Sequence, residues 1–333
     1  MKDNLEGSSI AVSLIIPIYN TEQFIERCLR SVFEQTFENV EYILINDCTP
    51  DNSLEIAKQI SAFYPNKNIK IIENEANLGS AGVRNVGIRV ALGKYIIYID
   101  SDDYVEPTML EDMYNMTEEG NVDIVVADYY INYPQKQIYK KQVAPSTGAE
   151  CARWILSGRL HSSNSNKLIK RELYLNNNIS FIEGINMWED MSTIARICYL
   201  ANKVAYLPQA YLHYVQYNSN SYTTNITEKS LLDIQAVISI LRDFFGQNND
   251  YQQDLVFLTL KAKVDFIMHA KGDIRKKLCQ LYNAPREMII KHPSLSVFYK
   301  LLLLLEKHRL YGFIDIFIVL YFIAKKIALK VKK

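Results

Sequence analysis

No sign of charge dominates this chain: its 333 residues carry 37 Lys and Arg against 37 Asp and Glu. A nucleic-acid binder draws affinity from a cationic excess, so nucleic acid is excluded as a partner. Paired cysteines are missing too. Cys28, Cys48, Cys151, Cys198 and Cys279 are scattered, odd in number and never in a C-x-x-C pair. That excludes a disulfide framework and a zinc site, and it suits a reducing compartment. Met1–Ile10 contains Asp3 and Glu6 and no apolar core, so it does not read as a signal peptide, and a cytoplasmic location is expected. Internal repeats, low-complexity linkers and a G-x-G-x-x-G fingerprint are absent, the last arguing against a dehydrogenase. Apolar and aromatic surface is plentiful: the chain is 49% hydrophobic with 23 Tyr and 13 Phe, which excludes disorder. A chain of this size buries roughly three quarters of its extended surface and needs no staples.

From Ala11 to Asp128 short apolar runs alternate with helical periods. The runs Ala11–Pro17, Val40–Asn46, Ile69–Ile72, Tyr95–Ile99 and Val122–Ala127 are rich in Ile and Val and read as buried parallel strands. Amphipathic segments lie between them at Thr21–Gln35, Asp51–Phe63, Gly79–Leu92 and Pro107–Glu118, the second opened by Thr49–Pro50 as N-cap and first helical proline. This rhythm predicts an α/β fold, a mostly parallel sheet flanked by helices. Tyr129–Val143 suggests antiparallel additions at a sheet edge. Helical periods return at Glu150–Leu160 and Met187–Leu200, and Lys203–Pro208 and Tyr211–Tyr217 read as two short strands. From Thr227 onward the pattern is helical, which predicts a domain over 1–224 and a helical C-terminal region over 225–333.

Ligands of an open parallel sheet bind beyond the carboxyl ends of its strands. Three polar clusters fall there: Pro17-Ile18-Tyr19-Asn20, Asn46 to Asp51, and Asp100-Ser101-Asp102-Asp103. Three carboxylates within four residues repel one another, and a hard divalent cation bridging to phosphate oxygens removes that cost; the alternative is a solvated turn capping the helix near Pro107. Asn77 to Gly87 places glycines and Arg84 on one helix, either to pack closely on the sheet or to bring the guanidinium to a ligand. Glu189-Asp190 is a paired acid at a helix start, where the helix dipole alone would favour it. His213 is either a ligand or a structural histidine.

Five motifs in order resemble family 2 glycosyltransferases of bacterial polysaccharide synthesis: VSLIIPIYN at 12–20, NDCTPD at 46–51, NLGSAGVRNVG at 77–87, YIIYIDSDD at 95–103 and WED at 188–190. The resemblance spans about residues 11 to 220 and implies a GT-A fold. It implies that Pro17, Tyr19, Asn20 and Asp47 hold the nucleotide, usually a uridine diphosphate, with Arg84, Asp100 and Ser101 beside it. Asp102 matches the metal ligand of the D-x-D motif, for Mn²⁺ or Mg²⁺, with His213 a second candidate. Asp190 matches the catalytic base and Glu189 a residue shaping the acceptor site. An inverting, metal-dependent transfer from a nucleotide-sugar donor to a glycan or lipid-linked saccharide acceptor follows. The competing readings are a non-catalytic nucleotide-sugar-binding module and a sugar nucleotidyltransferase; the latter usually carries a glycine-rich loop after strand one, where Tyr19-Asn20 stands here.

At the C-terminus, Leu310–Ala324 is an apolar run followed by Lys325, Lys326, Lys330, Lys332 and Lys333. As a helix the run spans ~22 Å, short of the ~30 Å hydrocarbon core, and contains Asp315. It reads as an interfacial helix for an anionic membrane surface or as a buried helix with a solvated tail.

Overall fold

A computed structural model describes residues 10–118, 120–218 and 226–330. The chain divides into two compact units, residues 1–155 with 160–225 and residues 156–159 with 226–333.

The first unit begins with β1 (Val12–Ile18), α1 (Ile25–Phe33), β2 (Val40–Asn46), α2 (Ser53–Ala62), β3 (Asn68–Glu73), α3 (Gly79–Val90) and β4 (Tyr95–Tyr98). β1 is parallel to β2 on one side and to β4 on the other, and β2 is parallel to β3. Strands of Ile and Val with both faces covered are what such a layer requires. Leu14, Ile16 and Ile18 pack with Cys28, Leu29 and Val32 of α1 on one face. On the other, Ile15 meets α3 so closely that a Cβ at Gly87 would lie 2.7 Å from it. That is the close helix-on-sheet packing the glycines of this segment suggested. β3 departs from the expectation of burial on both faces: it is the outer strand, with alternate residues exposed. The second helix starts at Ser53 rather than at Pro50: Asn52 is its N-cap, without a side-chain capping bond, and Asp51 Oδ1 just before it accepts from the Ser53 N–H at 3.1 Å.

The unit continues with β5 (Tyr104–Val105), α4 (Met109–Glu118), β6 (Ile124–Tyr133), β7 (Lys136–Lys140), α5 (Gly148–Leu156), β8 (Lys167–Lys170), α6 (Glu172–Leu175), α7 (Glu189–Leu200) and β9 (Val204–Val215). The sheet order is β3-β2-β1-β4-β8-β6-β9-β5, with β7 as a hairpin partner of β6. β8 runs antiparallel between β4 and β6, and β9 is parallel to β6. The two short strands expected around Pro208 are one strand. Ala127 faces Leu207 and Asp128 faces Ala210, so a bulge absorbs Pro208 and Gln209 without ending the pairing.

The second unit holds α8 (Glu228–Phe245), α9 (Gln252–His269), α10 (Gly272–Gln280), α11 (Arg286–Lys291), α12 (Val297–Lys307) and α13 (Tyr311–Lys330). Thr227 and Ser230 form a capping box that starts α8. A buried ion pair, Lys263 with Glu306, ties α9 to α12, and Arg275 reaches Asp315 at 2.6 Å from α10 to α13. Among the described residues no helix is long and apolar enough to cross a membrane. α13 buries Ile314 yet leaves Phe313, Ile316, Val319, Leu320, Phe322 and Ile323 exposed. Lys332 and Lys333 lie outside the described residues.

Candidate active site

Register brings the polar strand exits together. Ile18 faces Asn46, and Ile15 faces Tyr98, so the chain leaves β1, β2 and β4 at one edge of the sheet. There Tyr19 is half exposed, and Asn20, in the left-handed region at φ 55°, donates its N–H to Thr49 Oγ1 at 2.8 Å. Pro17 sits in β1 opposite Ile45, one pair inside that edge. Ser101 is buried with its hydroxyl 2.9 Å from Thr21 Oγ1.

Asp47 is occupied in a way its motif did not disclose. Its carboxylate accepts from the Leu78 N–H at 2.8 Å, the Gly79 N–H at 2.9 Å and Asn74 Nδ2 at 2.9 Å. Gly79 turns into α3 at φ +70°, a conformation that costs glycine little, and a Cβ there would lie 2.9 Å from Asn186 Oδ1. Asp47 thus fixes the start of the helix that carries Arg84.

Arg84 is the hub of the site. Its side chain is 5% exposed, and its guanidinium reaches Asp100 Oδ1 and Glu189 Oε1, each at 3.0 Å, with Asp190 Oδ1 at 3.9 Å. Ser80, one turn earlier on the same helix, hydrogen-bonds both Arg84 and Glu189. Burial disfavours the guanidinium's charge, but Asp190, Asp100 and Glu189 together outweigh it and push its pKa up. The acids respond in kind. Burial, then the Asp190 charge, raises Glu189 to about 7 against the pull of Arg84. Burial also raises Asp190, with Arg84 the main opposing influence. Asp190 keeps a side-chain exposure of 22% and Asp100 37%, so both remain open to a ligand. The backbone at Trp188, φ 64°, sets the entry of α7 and the direction of the acidic pair. A non-glycine residue held there costs of order 1–3 kcal/mol, a strain found disproportionately at functional sites. The favourable placement of two acids in a helix first turn and their convergence on Arg84 hold at once.

The D-x-D segment follows β4. Asp102 Oδ2 accepts from Asn218 Nδ2 at 2.9 Å, while burial and then the Asp100 charge raise its pKa to about 6. Asp103 is buried; its Oδ1 accepts from the Val215 N–H at 2.8 Å, and its Oδ2 has no donor among the described residues. Among the described residues no three His, Cys, Asp or Glu side chains converge into a cation cage. The donors fit a hard divalent ion that takes one or two carboxylates from protein and completes its shell with phosphate and water. An ion at Asp102 would add to the positive charge that Arg27 brings, its guanidinium donating to Asp102 O at 3.2 Å.

His213 does not join this group. It stands in β9 opposite Tyr104, its Nε2 is 2.8 Å from Glu106 Oε1, and its Nδ1 is 3.0 Å from Asn132 Nδ2. Both nitrogens are engaged, and the ring is stacked between Tyr104 and Tyr130. With both nitrogens engaged, His213 would have to exchange its Glu106 contact before it could meet an ion beside Asp102. Residues that sequence reasoning missed are Ser80, visible in retrospect from its i,i+4 spacing to Arg84, and Asn164, which donates to Asp190 Oδ1 at 3.1 Å from just ahead of Asn166-Lys167, a pair that resembles a segment family 2 glycosyltransferases often carry before the base.

The profile of glycosyl transferase family 2 matches residues 13–176. The uncharacterized glycosyltransferase EpsJ of Bacillus subtilis is 30% identical over 336 residues, covering 92% of this chain and 95% of its own. Glycosyltransferase GlyG of Streptococcus pneumoniae is 29% identical over 267 residues, covering 76% of this chain and 83% of its own. The structure of residues 1–349 of Staphylococcus aureus TarS in complex with UDP-GlcNAc superposes with a TM-score of 0.69 at 22% identity, over 92% of this chain and 89% of that one. This likeness establishes the fold as GT-A.

Proposed function

The chain belongs to glycosyl transferase family 2, and from that premise we propose that it moves a sugar from a uridine diphosphate sugar to a hydroxyl of a glycan or lipid-linked saccharide during synthesis of cell-surface polysaccharide. The observation that carries this reading is the Arg84 cluster, which joins Asp100 of the D-x-D segment to the Glu189–Asp190 pair. Two acidic groups with separate duties thereby sit around one space, one toward a donor and one toward an acceptor. TarS, crystallised with UDP-GlcNAc, is named a poly(ribitol-phosphate) β-N-acetylglucosaminyltransferase, which favours uridine and a hexosyl or N-acetylhexosaminyl group.

In this reading Pro17, Tyr19, Asn20 and Asp47 border the base, Asp47 by holding the turn into α3. Asp100 and Ser101 lie at the ribose. Asp102 would hold Mn²⁺ or Mg²⁺, which when bound supplies Lewis-acid stabilisation of the departing diphosphate. Asp190 is the base. An alcohol is about as weak an acid as water, near 15.7, so even a raised carboxylate cannot deprotonate it beforehand. Asp190 takes the proton as the new C–O bond forms, and a single attack opposite the leaving group inverts the anomeric carbon. Arg84 keeps Asp190 ionised, and Glu189 shapes the acceptor side. The catalytic domain is residues 1–224. The exposed apolar face of α13, with the lysines that follow it in sequence, attaches the protein peripherally to the anionic cytoplasmic face of the membrane, where lipid-linked acceptors reside.

A thermal-shift series with UDP, GDP, CDP, dTDP and NAD, each with and without Mn²⁺, tests the donor. UDP at a hundred times its dissociation constant adds ~2.7 kcal/mol, a shift of several degrees. The shift should need Mn²⁺ and vanish in Asp102→Asn. Stabilisation by GDP alone would change the donor, and no shift with any nucleotide would remove the reading.

A further inference from the structure

Asp190 receives a contact that none of the five motifs includes. Asn164, fully buried between α5 and β8, donates Nδ2–H to Asp190 Oδ1 at 3.1 Å and accepts from Ser165 Oγ at 3.2 Å. The loop bearing Asn164 is closed around a buried lysine. Lys167 Nζ donates to His161 O at 2.8 Å, Ser163 O at 2.7 Å and Asn166 Oδ1 at 3.0 Å. All three ammonium protons are therefore engaged, and the loop carbonyls supply the negative ends that a buried cation requires. Asn166 in turn anchors the loop to β6, its Nδ2 donating to Ala127 O at 2.7 Å and its carbonyl accepting from the Ala127 N–H at 3.0 Å. A lysine buried this deeply, its pKa drawn down to about 8 by desolvation, is a costly way to fold a loop. It is economical if the loop must hold one side chain still.

With Asp190 as the base, as proposed above, we infer that Asn164 is its positioning residue. The side-chain amide N–H fixes Oδ1 and, together with the Asn164 backbone N–H, steadies the ionised carboxylate, the second oxygen is left to the acceptor hydroxyl, and Lys167 pins the loop that presents Asn164. The groups facing Asp190 are Arg84 from α3, Asp100 beyond β4, Lys167 from β8, Glu189 from α7, Tyr98 from β4 and Tyr174 from α6. None of these supplies the directed neutral donor that Asn164 does.

The test uses Asn164→Leu, of similar volume, with Asn164→Asp and Lys167→Met as further variants. Carboxyl ¹³C NMR of aspartate-labelled protein, with Asp190→Asn to identify the resonance, follows the titration of Asp190 without any donor. Its midpoint should rise by about one pH unit in Asn164→Leu, the size of one charge-assisted hydrogen bond. It should rise further in Asn164→Asp, where an acceptor replaces the donor, and move the same way in Lys167→Met. Release of UDP from UDP-GlcNAc with Mn²⁺ and water as acceptor gives the second readout. There kcat should fall roughly ten- to hundredfold, with its acid limb displaced to higher pH and KM within twofold. An unchanged midpoint in a folded Asn164→Leu or Asn164→Asp protein overturns the inference. Turnover that survives Asp190→Asn overturns instead the assignment of Asp190 as base.

Discussion

Replacing Arg84 by methionine removes the guanidinium that Asp100, Glu189 and Asp190 share. Two of its contacts are at 3.0 Å and one at 3.9 Å, all to a guanidinium 5% exposed. At an effective dielectric of about 20 each close pair is worth roughly 4 kcal/mol before desolvation is subtracted. Removing one partner of such a buried pair costs about 3–5 kcal/mol net, because the acids stay behind. For a unit of this size that is a fall in Tm on the order of 10 °C. The pH dependence gives the sharper test. Glu189 is raised from 4.5 to about 7, so the folded state binds more protons than the unfolded one across that interval, and ionising Glu189 lowers stability as pH rises through it. Without Arg84 the folded-state pKa moves higher and the interval lengthens upward. The deficit of Arg84→Met should therefore be modest at pH 6, where Glu189 is already protonated, and largest near pH 8.5. Melting curves by circular dichroism at both pH values, with Arg84→Lys as the variant that keeps charge without the fork, measure it. A shift below about 2 °C at pH 8.5, or a larger deficit at pH 6, would refute the account of Arg84 as the charge hub.

Asp47→Ala should lose about 2–4 kcal/mol in urea denaturation, since it strands two backbone N–H groups and Asn74, and hydrogen exchange at Leu78 and Gly79 should accelerate; unchanged exchange rules out the turn-holding role. Gly79→Ala, which forces a Cβ to φ +70° and against Asn186, should cost about 1–3 kcal/mol, read as a lower urea midpoint at constant m. Deleting residues 310–333 should abolish cosedimentation with vesicles of phosphatidylglycerol while leaving UDP binding intact, and undiminished cosedimentation defeats the membrane role of α13.

Much of this was legible in the sequence for definite reasons. Buried parallel strands need apolar residues on both faces, and β1, β2 and β4 announce themselves as such runs. Their carboxyl ends must then share an edge, so the sequence alone assigns the acids at 47, 100 and 102 to one region. Long-range pairing is what a local pattern does not carry. β9 looked like two strands because Pro208 interrupts the run, whereas pairing to β6 continues through a bulge. His213 was open in the sequence between a ligand and a structural histidine, and the register that sets it opposite Tyr104 brings it to Glu106 and Asn132. Lys167 and Asn164 carry no periodic signal, because a buried polar loop is defined by partners distant in sequence.

The measurement that bears most directly on the central claim compares wild type with Asp190→Asn by two methods: calorimetric titration of UDP with Mn²⁺, and release of UDP from UDP-GlcNAc and UDP-glucose. The account predicts a dissociation constant for UDP within about threefold of wild type and turnover reduced roughly a thousandfold, since the donor site stays intact while the base is gone. Turnover within tenfold of wild type, or loss of UDP affinity along with it, would contradict the placement of Asp190 as the base.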